Sequence, residues 1–339
     1  MIKEQVKSLW KLCFDDSEAF IELYFRLRYN NEVNLAIQSG EEVIAALQML
    51  PYPMTFCNKI VPTSYISAAC THPDYRAKGV MRELLSQSFA RMLRNGVLFS
   101  TLIPAEPWLF GYYAKTGYIP AFRISHKVFS LSELTIDPEP DTMIEETTEY
   151  QEDYYQYLTG KLSERACCLQ HTPTDFKVVL ADLALTQNTV LIARKDNRVT
   201  GIAVVYKHDD SSYINELFAD NEAVRAQLLY RAGLRNGTER IILQLPPVES
   251  LPSVPLGMAR IIDARAVLQL YAAGCPEVEM NIELTDEQLS VNNGYYYLCK
   301  GKCMTSEVRL PGVHTRMTIA ELSEKILGEM QPYMSLMMN

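Results

Sequence analysis

Apolar residues recur along the first third of the chain at two spacings, and the changes of spacing mark the elements. Val6, Leu9, Trp10, Cys13 and Phe14 share one helical face. After Asp16-Ser17, which reads as a break and N-cap, Phe20, Leu23, Tyr24 and Leu27 share another, so residues 3–29 read as helical. Residues 33–38 and Val43–Leu50 read as strands about a turn at Gly40, and Met54–Cys57 returns through Asn58-Lys59 to Ile60 as a second hairpin. Tyr65–Thr71 follows as a strand closed by Pro73. Residues 76–79 form a short basic loop ending in glycine. Leu84, Leu85, Ser88, Phe89, Met92 and Leu93 then predict a helix from Val80 to about Arg94, capped by Asn95-Gly96. Val97–Ile103 reads as a strand, Tyr112–Thr116 as a short helix stopped by Gly117, and the chain from Tyr118 as a last strand. The class is α+β, built around a strand–loop–helix unit.

The pattern then starts again. Residues 135–148, rich in proline and acid, read as a linker. Residues 149–187 look helical with an interruption near Thr172-Pro173. Thr189–Ala193, Val199–Tyr206 and Ser212–Phe218 read as strands, Glu222–Arg235 as a helix followed by Gly237, and Ile241–Leu245 as a strand. This repeats the first order without its basic loop. Pro246 to Pro255, with four prolines, marks a second boundary. Residues 257–339 form a smaller α+β unit with helices near 264–272 and 318–328. The predicted domains are 1–134, 143–250 and 257–339.

Length agrees, since 339 residues exceed one compact core. With 48% hydrophobic and 22% charged residues the composition is that of a globular protein. A net charge of −9 argues against nucleic acid as a partner and suits a cationic small molecule. The eight cysteines form no CxxC pair and no histidine pair has ligand spacing, so no metal site is expected and the thiols read as buried and free. No run of about 18 apolar residues predicts a membrane span, and no leader-like apolar stretch opens the chain, so a cytoplasmic location is expected.

Candidate chemistry concentrates in Thr71-His72-Pro73-Asp74-Tyr75-Arg76-Ala77-Lys78-Gly79-Val80-Met81. A strand ends, a loop follows and a helix begins at once. The helix N-terminus supplies N–H groups and partial positive charge, Arg76 and Lys78 supply full charges, and Gly79 lets the backbone approach a ligand closely. Such a loop suits a diphosphate.

The segment resembles the acyl-CoA signature of the GNAT superfamily: an Arg or Gln, two residues, Gly, one residue, then Gly or Ala. Met81 departs from that last place, as is tolerated in the enhanced-intracellular-survival branch of acetyltransferases. Tyr113-Ala114-Lys115-Thr116-Gly117-Tyr118 is similar to the superfamily's tyrosine–glycine–aromatic signature, one helix and one strand downstream. The branch also carries a degenerate second acetyltransferase copy and a sterol-carrier-like C-terminal domain. Gly257–Asp263 with the apolar helix after it, and Met317–Leu322 through Gly328, look like parts of the latter.

The resemblance implies an N-acetyltransferase that takes acetyl-CoA, needs no metal, and acts on a primary amine of a small cationic or peptide acceptor. Ala69, Cys70 and Thr71 would pair with the pantetheine arm, and Arg76, Ala77, Lys78, Gly79, Val80 and Met81 would hold the pyrophosphate. Tyr113 falls at the family's general acid, with Tyr112 and Tyr118 as competitors. For the general base the branch implies the C-terminal carboxylate, here of Asn339, with Glu106 as the rival. Phe218-Ala219-Asp220-Asn221-Glu222 stands where a second basic loop would lie, so one cofactor site per chain is expected. The branch leaves a homo-oligomer open. Two other classes also remain open: an inactive acyl-CoA-binding scaffold, and a lipid-handling module led by the C-terminal domain.

Overall fold

The computed structural model describes residues 2–135 and 141–337. The Ser17 hydroxyl accepts from the Phe20 amide at 3.2 Å, so α1 (Ile2–Cys13) and α2 (Glu18–Leu27) are separate helices, as the cap signal predicts. Their apolar stripes, including Leu9, Trp10, Ile21 and Tyr24, are buried against one face of a sheet.

That sheet opens with β1 (Asn34–Ser39), β2 (Glu42–Phe56) and β3 (Lys59–Thr71). The hairpin expected about Gly40 is present as β1–β2, but Val43–Leu50 and Met54–Cys57 are one strand, so the second hairpin is a long pairing of β2 with β3 from Ala45↔Thr71 to Phe56↔Lys59. Pro51 and Pro53 do not break β2, because β1 pairs with it only as far as Gln48. Beyond that point one edge of β2 needs few ladder donors. The helix α3 (Val80–Arg94) has the predicted bounds, and β4 (Phe99–Leu102) is shorter than its apolar run. The next helix, α4 (Pro107–Ala114), starts five residues before the predicted Tyr112, since Pro107 is preset for a first helical turn. Gly117, at φ +89°, turns the chain into β5 (Ile119–Ser130).

The second half of the expected linker 135–148 is a strand, β6 (Thr142–Thr147), paired with a later strand from Thr142↔Lys195 to Thr147↔Val190. Pairing along the whole of that strand overrode the loop-like composition there. Then come α5 (Glu152–Ser163), β7 (Cys168–Leu169) and α6 (Pro173–Leu185), the last opened by a Thr172/Asp175 capping box. The strands β8 (Thr189–Lys195), β9 (Arg198–His208) and β10 (Ser211–Ala219), helix α7 (Glu222–Asn236) and strand β11 (Arg240–Leu245) complete the unit. The run α5-α6-β8-β9-β10-α7-β11 repeats α1-α2-β1-β2-β3-α3-β4, apart from the small insertion β7. In both runs the last two strands are parallel.

The remainder comprises β12 (Ser253–Ile261), α8 (Ala264–Gly274), β13 (Met280–Thr285), β14 (Gly294–Cys299), β15 (Lys302–Ser306), β16 (Thr315–Thr318) and α9 (Ile319–Gly328). The last four strands make a small sheet in the order β15-β14-β13-β16. β12 leaves that unit and lies between β4 and β5, antiparallel to both. It starts inside the proline-rich stretch read as a boundary. One large sheet results, in the order β1-β2-β3-β4-β12-β5-β11-β10-β9-β8-β6, with β7 at β2.

Candidate active site

β3 and β4 pair in parallel only over Thr63↔Phe99, Ser64↔Ser100 and Tyr65↔Thr101, then diverge. The cause lies on the opposite edge of β3. Ser67 faces Gln48 and Cys70 faces Ala46, so Ala68 and Ala69 together oppose Leu47. Ala68 takes φ +51°, and this bulge bends β3 away from its neighbour. The backbone from Ser67 to Thr71 is left facing a fork, where an extended ligand can add as a strand does.

On one side of the fork is a cleft of about 680 Å³. Its wall includes Ala69, Cys70, Thr71, Arg76, Ala77, Gly79, Val80 and Met81, so the structure brings together nearly all the residues expected to hold a cofactor. The loop builds a shallow backbone cup. His72 Nδ1 accepts from the Asp74 amide at 3.3 Å and starts a single turn over Pro73–Tyr75. Ala77 at φ +59° and Gly79 at φ +82° then turn the amides toward the start of α3. No side chain caps that helix, and a Cβ placed on Gly79 would meet nothing within 4 Å. Both features leave room for a diphosphate against the first-turn N–H groups. The Arg76 guanidinium curls back, with Nε donating to the Thr71 carbonyl at 3.1 Å. Lys78 Nζ lies 5.3 Å from the centroid of the Tyr75 ring and is absent from the wall.

The other side holds a second cavity of about 500 Å³ between the diverging strands, closed by the α1–α2 turn. Phe14, Ala69, Leu109 and Tyr113 line both spaces, so the two meet there. This geometry separates the three tyrosines. Tyr112 borders the cleft alone. The Tyr118 hydroxyl is buried in a 2.6 Å hydrogen bond with Ser100 and lines neither space. Tyr113, nearly buried, stands at the junction, and burial pushes its phenol up to about 12, with smaller pushes from Tyr112 and Cys70. It is therefore protonated at neutral pH and can donate a proton.

Glu106 is exposed at the N-cap of α4, while Pro104 and Ala105 form the adjoining wall. Asn339 lies outside the described residues. The tail before it is held firmly. The Tyr333 hydroxyl donates to Glu216 Oε2 at 2.9 Å, the Ser335 hydroxyl to the same oxygen at 2.6 Å, and the Ser335 carbonyl is 2.9 Å from His171 Nε2. Met337 packs on the apolar cluster that contains Trp10, Tyr24 and Tyr65.

Sequence reading missed Cys13, Phe14, Asp15 and Asp16 as wall residues. Cys13 Sγ donates to the Thr71 carbonyl at 3.4 Å across 58 positions of sequence, a contact that no local pattern announces. Its thiol is pulled down to about 6, first by a hydrogen bond from Cys70 and then by the Arg76 guanidinium. In the second unit, the segment from Phe218 to Glu222 forms no cup. Asn221 caps α7 directly through the Val224 amide, and Asp220 accepts from the Tyr157 hydroxyl at 2.9 Å. Among the described residues no cluster of metal-ligating side chains occurs, and no helix is long and apolar enough to cross a membrane.

Residues 3–121 match the family model described as an acetyltransferase (GNAT) domain. No curated protein matches the sequence. Among solved structures the fold is similar to that of a conserved protein of unknown function from Enterococcus faecalis, called a probable N-acyltransferase. There the TM-score is 0.77 at 14% identity, over 96% of this chain and 87% of that one. A GCN5-related N-acetyltransferase from Kribbella flavida gives 0.75 at 17% identity, over 99% and 95%. Eis1 from Mycobacterium abscessus gives 0.72 at 14% identity, over 96% and 87%. At these identities the likeness is one of fold. Residues 3–121 thus form an acetyltransferase domain of the GNAT type, and the chain is an N-acetyltransferase.

Proposed function

We propose that this protein transfers the acetyl group of acetyl-CoA directly to a primary amine held in the cavity between β3 and β4, with Tyr113 as general acid. The observation that carries the reading is the meeting of the two spaces at Tyr113. The cup at Ala77–Met81 fits a pyrophosphate, and Ala69–Thr71 fit a pantetheine arm as an added strand. In the transfer, the amine nitrogen bonds to the thioester carbonyl carbon and the carbon–sulfur bond breaks. Tyr113 gives its proton to the departing thiolate and is reloaded from solvent, and the nitrogen, entering as an ammonium, loses two protons in all, so one net proton is released per turn. The acid's high pKa keeps it loaded for each turn.

The second unit reads as a degenerate copy of the first. It keeps the element order and a bulge beside Glu216, but it has no basic cup. Glu216 there fixes the tail, so this unit serves to place the tail rather than to bind a second cofactor. We read the division 1–134, 143–250 and 257–339 as one of function, with β12 lent to the first sheet. The sterol-carrier-like character of the third unit is a resemblance that the small sheet and two helices accommodate. The proton leaving the amine goes to a carboxylate brought by the tail, that of Asn339, or to water. Exposed Glu106 is the weaker base.

Tyr113→Phe tests the reading. Turnover in a thiol-release assay should fall about 100-fold, within the range of general acid catalysis, while the dissociation constant for acetyl-CoA stays within twofold. Unchanged turnover would remove Tyr113 from the mechanism.

A further inference from the structure

The cavity on the acceptor side carries a chemistry that narrows the amine, given the reading of that cavity as the acceptor site. Its wall displays six aromatic rings: Trp10, Phe14, Phe20, Tyr24, Tyr65 and Tyr113. Four of them are contiguous. Trp10 and Tyr24 have centroids 4.6 Å apart, Trp10 and Phe14 5.6 Å, and Phe20 and Tyr24 6.4 Å. Ile66, Leu102, Ile103 and Leu109 fill the spaces between them.

Charge on this wall has one sign. Among the described residues Asp15 and Asp16 are its only acidic side chains, and no Lys, Arg or His lines the cavity. Among the described residues neither carboxylate is in an ion pair. Asp15 is exposed beside the opening. Asp16 accepts from Trp10 Nε1 at 2.7 Å, which fixes the indole in the wall. Side-chain hydrogen-bonding groups on the rest of the wall are few: the three tyrosine hydroxyls and that of Ser67. One of these, on Tyr24, is buried and makes no hydrogen bond.

Each ligand class meets this wall differently. An ammonium is drawn in by the two carboxylates and is stabilised over ring faces. An aromatic or apolar body gains contact with the ring surface that the wall displays. A polyhydroxylated polycation does not fit, because every hydroxyl taken from water without a partner is penalised, and the wall offers few partners. A thin aliphatic polyamine keeps the charge attraction but leaves most of the ring surface uncovered.

We propose that the acceptor is a primary amine on an aromatic or compact apolar body, an arylalkylamine in chemical class, rather than an aminoglycoside or a polyamine. Asp15 and Asp16 draw in its cation, and Phe14, Phe20 and Tyr24 hold its body.

The test is a thiol-release assay on the full chain with acetyl-CoA and three kinds of amine: 2-phenylethylamine and tryptamine, spermidine, and kanamycin. The expected result is a kcat/KM at least ten times higher for the arylalkylamines. Phe20→Ala, at a half-buried position, should raise their KM about tenfold and leave the KM for acetyl-CoA unchanged. Asp15→Asn should raise the KM of every amine in the panel, with the increase shrinking as salt rises. Faster turnover of kanamycin or spermidine overturns this inference and leaves the acetyltransferase reading intact. Turnover of no amine, with acetyl-CoA still bound by calorimetry, overturns that reading and this inference with it.

Discussion

Arg260 ties the third unit to the turn behind Tyr113, and its removal gives a stability test with a definite size. The side chain, on β12, is fully buried, as is that of Asp286. Its Nη2 donates to both Asp286 oxygens, at 2.8 and 2.6 Å, and Nη1 donates to the Thr116 carbonyl. The guanidinium lies 4.4 Å from the centroid of the Phe89 ring on α3. A Cβ on Gly117 would fall inside contact distance of Nη1, so the turn after α4 is seated on this cation. Asp286 also accepts from the Gln288 amide at 2.9 Å and from Asn292 Nδ2 at 2.9 Å. Arg260→Met keeps much of the volume and leaves that carboxylate buried without its cation, at a cost of about 3–5 kcal/mol. Most of this cost is the stranded charge, so Arg260→Met/Asp286→Leu should recover more than half of it. The assay is urea unfolding of both variants, with Arg316→Ala as a control, because the Arg316–Glu283 pair is exposed on its cation side (85%) and should not move the midpoint. A loss of about 1 kcal/mol or less for Arg260→Met would refute the reasoning, because that is the scale of an exposed pair.

Four further outcomes are expected. Cys13, pulled down to about 6 and lining the cofactor cleft, should react with iodoacetamide at a rate that climbs through pH 6 and levels near pH 7, and acetyl-CoA should protect it; a rate still rising at pH 8.5 would contradict the geometry. Gly79→Val sets a branched side chain at φ +82° over the cup, so the dissociation constant for acetyl-CoA measured by calorimetry should rise at least tenfold, and the melting temperature should fall because that side chain strains the backbone there. Glu216→Ala removes the acceptor of both the Tyr333 and Ser335 hydroxyls, so limited proteolysis should clip the tail sooner than in the parent chain, and equal rates would show that other contacts hold it. Residues appended after Asn339 should depress turnover if its carboxylate takes the amine's proton, whereas full activity of the fusion assigns that step to water or to Glu106.

What the sequence disclosed and what it hid divide along a physical line. The helix α3 and the cup before it were legible because they are local: Gly79, the basic pair and an amphipathic run of fifteen residues lie in one continuous stretch. The junction tyrosine was legible only as one of three neighbours. The choice among them depends on which hydroxyl the fold consumes, and Ser100 takes that of Tyr118 from another strand. The long pairing of β2 with β3 was hidden by Pro51 and Pro53, whose usual meaning as breakers lapses where β1 has ended. β6 was hidden by acidic composition, and β12 by the prolines around it. The acceptor wall was hidden most completely. Asp15 and Asp16 read as the end of one helix and the start of the next, and only the bulge at Ala68–Ala69, some fifty positions away, opens the space they face. The same bulge recurs beside Glu216, where the second unit encloses the chain's own tail. Two copies of one strand defect thus do different work. The copy beside a basic cup opens onto a cofactor cleft, and the copy beside an acidic turn grips a peptide segment. The difference between them is the length, charge and backbone handedness of the turn that follows the strand, residues 72–79 in the first copy and 220–221 in the second.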